Sequence, residues 1–309
     1  MGEFSTPILF VVFNRPETTQ RVFDRIREVK PSRLYVAADG PREGNENDKV
    51  NCELTRTIIE KVDWPCSVKT IYGNTNLGCG KAVSKAITWF FENEEAGIIL
   101  EDDCLPNDSF FTFCKILLDY YKDDERVMHV GGTNFQEGIK RGDASYYFSA
   151  NIHVWGWATW RRAWKKYDFN VSDVEEFIRL KKMDFYFNDP IIREYWHGIF
   201  KSMLAHKIDT WDYQWHYTVL NNHGLAIIPQ VNMISNIGFG SSATHTGAES
   251  KWANMKTAEM GLIKHPTMVQ QNKEADIYTF YEHYRPRPVK PAGRNIIKRI
   301  ASKIRASFK

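Results

Sequence analysis

Two acidic stretches stand out for the chemistry they could perform. Glu101, Asp102 and Asp103 stand in a row behind the apolar run Gly97–Leu100, within G-I-I-L-E-D-D-C-L-P (97–106). Adjacent carboxylates at the end of a buried strand repel one another. A hard divalent cation with oxygen ligands, Mg²⁺ or Mn²⁺, would relieve that repulsion, hold a diphosphate and stabilise negative charge on a leaving group. A plainer reading, in which acids favour the start of the helix expected at Asn107 or Asp108, explains Asp108 better than the three acids before it. The second stretch is T-W-D-Y-Q-W (210–215), with Asp212 between two tryptophans at a predicted helix start. Such an acid can serve the helix dipole. It can also take the proton of an attacking hydroxyl as a general base, while Trp211 and its neighbours exclude water or stack on a sugar.

The elements around these residues alternate. Pro7–Phe13 reads as a strand, Glu17–Val29 as a helix and Arg33–Ala38 as a second strand. A helix through Leu54, Ile58, Ile59 and Val62 follows, then strand Ser67–Tyr72, helix Leu77–Phe91 and strand Gly97–Leu100. Strands separated by helices of this length imply right-handed crossovers and a mostly parallel sheet in an α/β fold. In such sheets ligands bind beyond the carboxyl ends of the strands. Asn14-Arg15, Asp39-Gly40, Asn74–Asn76 and Glu101–Asp103 all fall at those ends. The second half is less regular. Strands are expected at Val127–Gly132, Ser145–Ala150, Leu225–Ile228 and Val231–Ser235, and helices at Asp173–Met183, Ile191–His206 and Asp212–Asn222.

On these residues the chain resembles the GT-A-fold glycosyltransferases, a Rossmann-like single-domain family that uses nucleoside-diphosphate sugars. E-D-D is similar to that fold's acidic motif, and most similar to the N-acetylglucosaminyltransferase I branch. The resemblance implies that Asp103 contacts a Mn²⁺ or Mg²⁺ directly, while Glu101 and Asp102 orient the ribose and sugar or bind through water. F-N-R-P (13–16), with Asn14 and Arg15, resembles the loop under the nucleobase. A-A-D-G (37–40) supplies Asp39 to read the base. N-T-N-L-G-C-G-K-A (74–82), with Asn76, Gly78 and Lys81, resembles the segment that closes over the nucleoside. The branch has W-D-D-W where this chain has T-W-D-Y-Q-W, which implies Asp212 as the base of an inverting transfer. V-W-G-W-A-T-W (154–160) falls where the fold carries acceptor and donor-sugar contacts, which implies Trp155 and Trp157 as a wall together with Trp211. G-F-G-S-S-A-T-H-T-G (238–247) resembles a loop that closes over the diphosphate, with His245 touching diphosphate or metal. Each of these segments also has a bland reading: a turn at Asp39-Gly40, a helix start at Pro16, close packing at Gly78 and Gly80, core tryptophans, an exposed loop histidine.

Composition sets the outer bounds. The chain has 309 residues, 43% of them hydrophobic and 26% charged, as in ordinary globular proteins. Its five cysteines have no C-x-x-C spacing, which fits a reducing compartment rather than a zinc site or a disulfide framework. The start M-G-E-F-S-T-P has no charged leader, and no apolar run reaches the roughly 20 residues of a membrane span. The expected location is therefore cytoplasmic. The net charge of +3 conceals a basic end: Arg294, Lys298, Arg299, Lys303, Arg305 and Lys309 lie in 294–309, where no acid occurs. Setting those six aside leaves 35 basic and 38 acidic residues. With Ile296, Ile297, Ile300, Ile304 and Phe308 on one helical face, this end predicts an amphipathic helix on the anionic inner face of the cytoplasmic membrane. No nucleic-acid recognition motif accompanies it. The expected organisation is a transferase domain over 5–283, a proline-rich linker over 284–293 and the basic tail over 294–309. The expected partners are a nucleoside-diphosphate sugar, UDP-linked, and a glycan or lipid-linked acceptor. Two rivals remain: a non-catalytic nucleotide-sugar or glycan-binding module, since a fold does not prove activity, and a sugar-1-phosphate nucleotidyltransferase. The latter calls for a Gly/Arg-rich loop after the first strand, where this chain has F-N-R-P.

Overall fold

The computed structural model describes residues 4–239 and 250–285. The strands are β1 (Ile8–Val12), β2 (Arg33–Ala38), β3 (Ser67–Tyr72), β4 (Ala96–Glu101), β5 (Cys104–Pro106), β6 (Val127–Gly131), β7 (Tyr146–Ser149), β8 (Trp157–Trp160), β9 (Leu225–Pro229) and β10 (Ile234–Asn236). The α-helices are α1 (Pro16–Val29), α2 (Glu46–Thr57), α3 (Cys79–Asn93), α4 (Asp108–Tyr120), α5 (Arg161–Trp164), α6 (Val174–Arg179), α7 (Met183–Tyr186), α8 (Pro190–Leu204), α9 (Asp212–Asn221) and α10 (Lys273–Thr279).

Eight strands form one sheet in the order β3-β2-β1-β4-β8-β6-β9-β7, with β5 and β10 as a separate antiparallel pair. The pairs β3-β2, β2-β1, β1-β4 and β6-β9 are parallel, and only β8 and β7 run against the rest. This is a mixed α/β, Rossmann-like single domain with a large, mostly parallel sheet. Side-chain alternation splits β1 between two cores. Ile8, Phe10 and Val12 join Val22, Phe23 and Ile26 of α1 and Phe110, Phe113 and Leu117 of α4 on one face. Leu9 joins Val83, Ile87 and Phe90 of α3 on the other, with Trp164 and Trp215. Burial on both faces explains why the inner strands β1 and β4 read as continuous apolar runs, while the edge strand β3 is exposed.

The boundaries shift from expectation in instructive places. Glu101 belongs to β4, whose register pairs it with Val11 of β1, so the first of the three acids is a strand residue. The helix expected through Val62 stops at Thr57 and tightens into a 3₁₀ turn, Ile58–Lys61, with Ile58 and Ile59 buried and Leu54 exposed. The helix expected at 173–183 is two pieces, because Lys181 adopts a left-handed backbone between α6 and α7. The strand β8 is absent from the sequence reading. It inserts antiparallel between β4 and β6, pairing Ala96 with Trp160 and Ile99 with Trp157. The loop residue His245, the linker beyond residue 285 and the basic tail lie outside the described residues. Among the described residues no helix is long and apolar enough to cross a membrane.

Candidate functional site

Topology brings the chemistry-bearing residues to one edge. Strands β1, β2, β3 and β4 are parallel and their ends are in register, so the residues after each converge there. β8 runs the other way, so its start, next to Trp155, faces the same edge. α9 leads back into the parallel strand β9, so its first residue, Asp212, starts at this edge as well.

The acids do not face one another unshielded. Arg15, directly after β1, forms an ion pair with Asp102 and donates a second bond to Asp103 at 2.9 Å. Asp102, 2% exposed, also accepts from the Phe13 backbone N–H at 3.1 Å. Burial pushes the Asp102 carboxyl up to about 6, although the Arg15 guanidinium pulls the other way. Burial alone would lower Arg15; its two carboxylate partners more than reverse that and raise it. Glu101 is pushed up to about 8, first by burial and then by the charges of Asp103, Asp102 and Asp212. Asp212 is thus close enough for its charge to be felt at the end of β4. Its carboxylate accepts from the Thr210 hydroxyl and from the Tyr213 N–H at 2.9 Å. Cys79, the first residue of α3, feels the same charges. Burial raises its thiol, and Glu101, Asp212, Asp209 and Asp103 raise it further.

The remaining predicted donor residues form two hydrogen-bonded knots. Asn14 donates to Asp48 at 2.7 Å, and Arg42 binds the same carboxylate through Nε at 2.5 Å and Nη2 at 2.8 Å. These bonds hold Asp48 down to about 2, the Arg42 contact contributing most and burial opposing it. Asp39 accepts from Asn76 Nδ2 at 2.8 Å and from the backbone N–H groups of Gly40 and Leu77, which folds the 74–78 loop over the end of β2. Burial nevertheless raises the Asp39 carboxyl. Gly78 turns the chain into α3 with a φ of +81°, and Lys81 is exposed in the first turn of that helix.

The three tryptophans separate. Trp157 and Trp211, 0% and 2% exposed, are core residues stacked on each other at 5.5 Å. A ring buried on both faces offers none to a sugar, so the expected wall loses both. Trp155 is half-buried and remains at the edge, edge-on to Phe239 at 5.7 Å and to Phe135 at 5.3 Å. Phe135 in turn stacks on His283 at 4.0 Å and meets Trp252 at 4.9 Å, so the 250–285 segment supports this side of the site. Sequence reasoning missed Asp48, Phe135, Asp209 and Trp252. None lies in a motif, and only Asp209, three residues before Asp212, stood near one.

Among the described residues no three histidine, cysteine or acidic groups assemble into a metal cage. The donor set still fits Mg²⁺ or Mn²⁺, which commonly take one or two carboxylates and complete their shell with water and phosphate. Asp103 offers Oδ1, whose one neighbour is the Cys104 thiol at 3.4 Å. The Glu101 carboxylate accepts no hydrogen bond from the described residues.

No family model matches the sequence, and no curated protein matches it either. Among solved structures the chain is similar to HddC from Yersinia pseudotuberculosis at 10% identity and a TM-score of 0.33, over 52% of this chain and 80% of that one. It is similar to the 4-diphosphocytidyl-2C-methyl-D-erythritolsynthase from Anaerococcus prevotii DSM 20548 at 11% identity and 0.33, over 53% and 77%. It is also similar to a UDP-glucose pyrophosphorylase complexed with UDP-glucose, at 11% identity and 0.30, over 52% and 78%. Likenesses this distant carry no argument about activity, which rests on the site itself.

Proposed function

We propose that the protein is a glycosyltransferase that moves a sugar from a nucleoside diphosphate, UDP in particular, to a hydroxyl of a glycan or lipid-linked acceptor with inversion. The observation that carries this reading is the convergence of Glu101–Asp103 and Asp212 on one sheet edge, close enough that Asp212 raises Glu101. A transferase of this kind needs one group for the leaving diphosphate and one base for the incoming hydroxyl, on opposite sides of the anomeric carbon. The E-D-D turn and the start of α9 are candidates for these two roles.

In this reading the loops at 13–15, 39–40 and 74–78 hold the nucleoside, with Asn14, Asp39 and Asn76 as its polar contacts. Asp103, with Glu101 beside it, would hold a Mn²⁺ or Mg²⁺. That ion would supply positive charge to the departing diphosphate. Arg15 positions Asp102 and Asp103 and brings a guanidinium to the same place, where it can also meet a phosphate. Asp212 takes the acceptor proton as the new bond forms. Trp155, half-buried at this edge, is the candidate aromatic contact to the acceptor sugar. His245 is a candidate contact to the diphosphate, and the basic end 294–309 a candidate anchor to anionic lipid near lipid-linked acceptors.

Calorimetric titration of UDP, GDP and CMP, each with and without Mn²⁺, tests the donor half. The expected result is one nucleotide, UDP, that binds with Mn²⁺ and loses that binding in Asp103→Ala. Absence of binding by all three, in every condition, would overturn the reading.

A further inference from the structure

We propose that Asp209 is a positioning residue that couples the nucleoside-holding loop to the base, an inference that rests on the transferase reading above. The helix α3 starts at Cys79, and Gly78 at its N-cap has no side chain to satisfy the first N–H groups. The cap arrives from 129 residues away: Asp209 Oδ1 accepts from the Gly80 N–H at 3.0 Å. The approach depends on glycine. A Cβ at position 80 would stand 2.7 Å from both Asp209 Oδ1 and the Thr210 carbonyl oxygen, and one at Gly78 would stand 2.7 Å from Asp209 Oδ2. Two glycines and one acid thus seat the 209–210 backbone directly on the start of α3.

Asp209 lies at one end of a continuous chain of bonds. Thr210 accepts at its carbonyl from Gln214 Nε2 at 2.8 Å, and its hydroxyl donates to Asp212. On the other side, Asn76 and Leu77 are bonded to Asp39, and the Gly78 N–H donates to Asn76 Oδ1 at 3.2 Å. The contact at Asp209 joins the two. A displacement of the 76–80 segment moves Asp209, and through Thr210 it moves the carboxylate of Asp212. The side chain is exposed, so a stability role alone would shift thermal unfolding only slightly, as for other exposed caps. Placement of a base is more sensitive: an error near 1 Å costs on the order of 100-fold in rate.

The test is steady-state release of UDP from UDP-glucose and UDP-N-acetylglucosamine by the full chain, with water as the acceptor whose proton Asp212 takes and free sugar as the other product, and with thermal unfolding as a control. Asp209→Ala is expected to lower kcat about 10- to 100-fold, with the donor KM within about threefold, because an oriented reacting group and not donor binding is lost. Asp209→Asn keeps an acceptor oxygen for the Gly80 N–H and is expected to restore most of kcat. Gly80→Ala keeps the Asp209 carboxylate but pushes it and the Thr210 carbonyl off the start of α3 together, and is expected to reproduce the loss. An active wild type with kcat unchanged in Asp209→Ala, or with Asp209→Asn as impaired as Asp209→Ala, overturns the coupling and leaves the transferase reading intact. A wild type that binds no nucleotide and releases no UDP overturns both.

Discussion

At the residue scale, the site is a set of buried and half-buried carboxylates, most of them held by an arginine or a backbone N–H. Asp48 shows the strongest such arrangement. It is 2% exposed and takes bonds from Asn14, the Arg42 guanidinium and the Arg42 backbone. Its carboxyl is held at about 2, below the usual value of 3.8, so it favours the folded state at pH 4 and above. That contribution fades as pH falls from 3.8 towards 2, where the native carboxylate also protonates. Arg42 is half exposed, and screening by water reduces what the pair contributes. Asp48→Ala is therefore expected to cost about 1–2 kcal/mol in urea unfolding at pH 7 and about half of that at pH 3. An equal cost at both pH values would contradict the assignment. Arg15 and the three acids at 101–103 were legible from sequence because like charges at a strand end are conspicuous. Asp48 was not, because an acid in N-E-N-D looks like any solvated loop until Arg42 and Asn14 fold onto it.

At the element scale, the insertion of β8 shapes the acceptor side. V-W-G-W-A-T-W (154–160) ends in this strand, whose alternation sends Trp157 into one core and Ala158 into the other. Gly156 makes the entry possible. It has a φ of +60°, and a Cβ there would stand 2.8 Å from Cγ1 of Ile234. Gly156→Ala combines left-handed strain with overpacking, so it is expected to cost about 2–4 kcal/mol. Loss of near-ultraviolet tryptophan signal should accompany that cost, since β8 orders Trp157. A variant as stable as the wild type would mean that this turn can relax. β1, β2 and β4 were legible because both their faces are buried and each is a nearly unbroken apolar run, whereas the exposed edge strand β3 was legible from its β-branched residues and its place between two helices. β8 was not: four residues with two tryptophans carry no period, and its partner β4 is more than 50 residues earlier.

At the scale of the whole molecule, buried ionisable groups set the response to acid. His129 and His216 are held near 3 and His283 near 4 by burial, and burial drives His153 well below its ordinary value. Below pH 6.5 the unfolded chain takes up these protons and the native state does not, so stability falls with pH. Three acids oppose this. Asp102 and Asp276 are pushed up to about 6 and Glu101 to about 8, each by burial first. Over those windows the native state binds the extra proton, and stability rises as pH falls. His197 and His265 are lowered by burial as well, so six imidazoles stand against these three carboxyls. Below pH 6.5 each unmatched buried imidazole removes up to about 1.4 kcal/mol per pH unit. The urea midpoint should therefore fall between pH 6.5 and 5.5 and fall further by pH 4.0. A midpoint unchanged between pH 7.5 and 4.0 would contradict this balance. The α/β layering could be read from the alternation of apolar runs, because crossover connections leave few topologies. The packing of residues 250–285 against Phe135 and Trp155 could not, since it joins segments more than 100 residues apart through aromatic contacts with no local pattern.

The central claim is that one sheet edge holds a sugar nucleotide and that Asp212 acts on the acceptor hydroxyl. The most direct measurement compares wild type with Asp212→Asn in two assays on the same preparations: UDP binding by calorimetry in the presence of Mn²⁺, and UDP release from a panel of UDP-sugars. The account predicts unchanged binding and a loss of turnover of about 100- to 10,000-fold, the usual contribution of a general base. Turnover that survives the substitution would contradict it, as would a loss of binding equal to the loss of turnover.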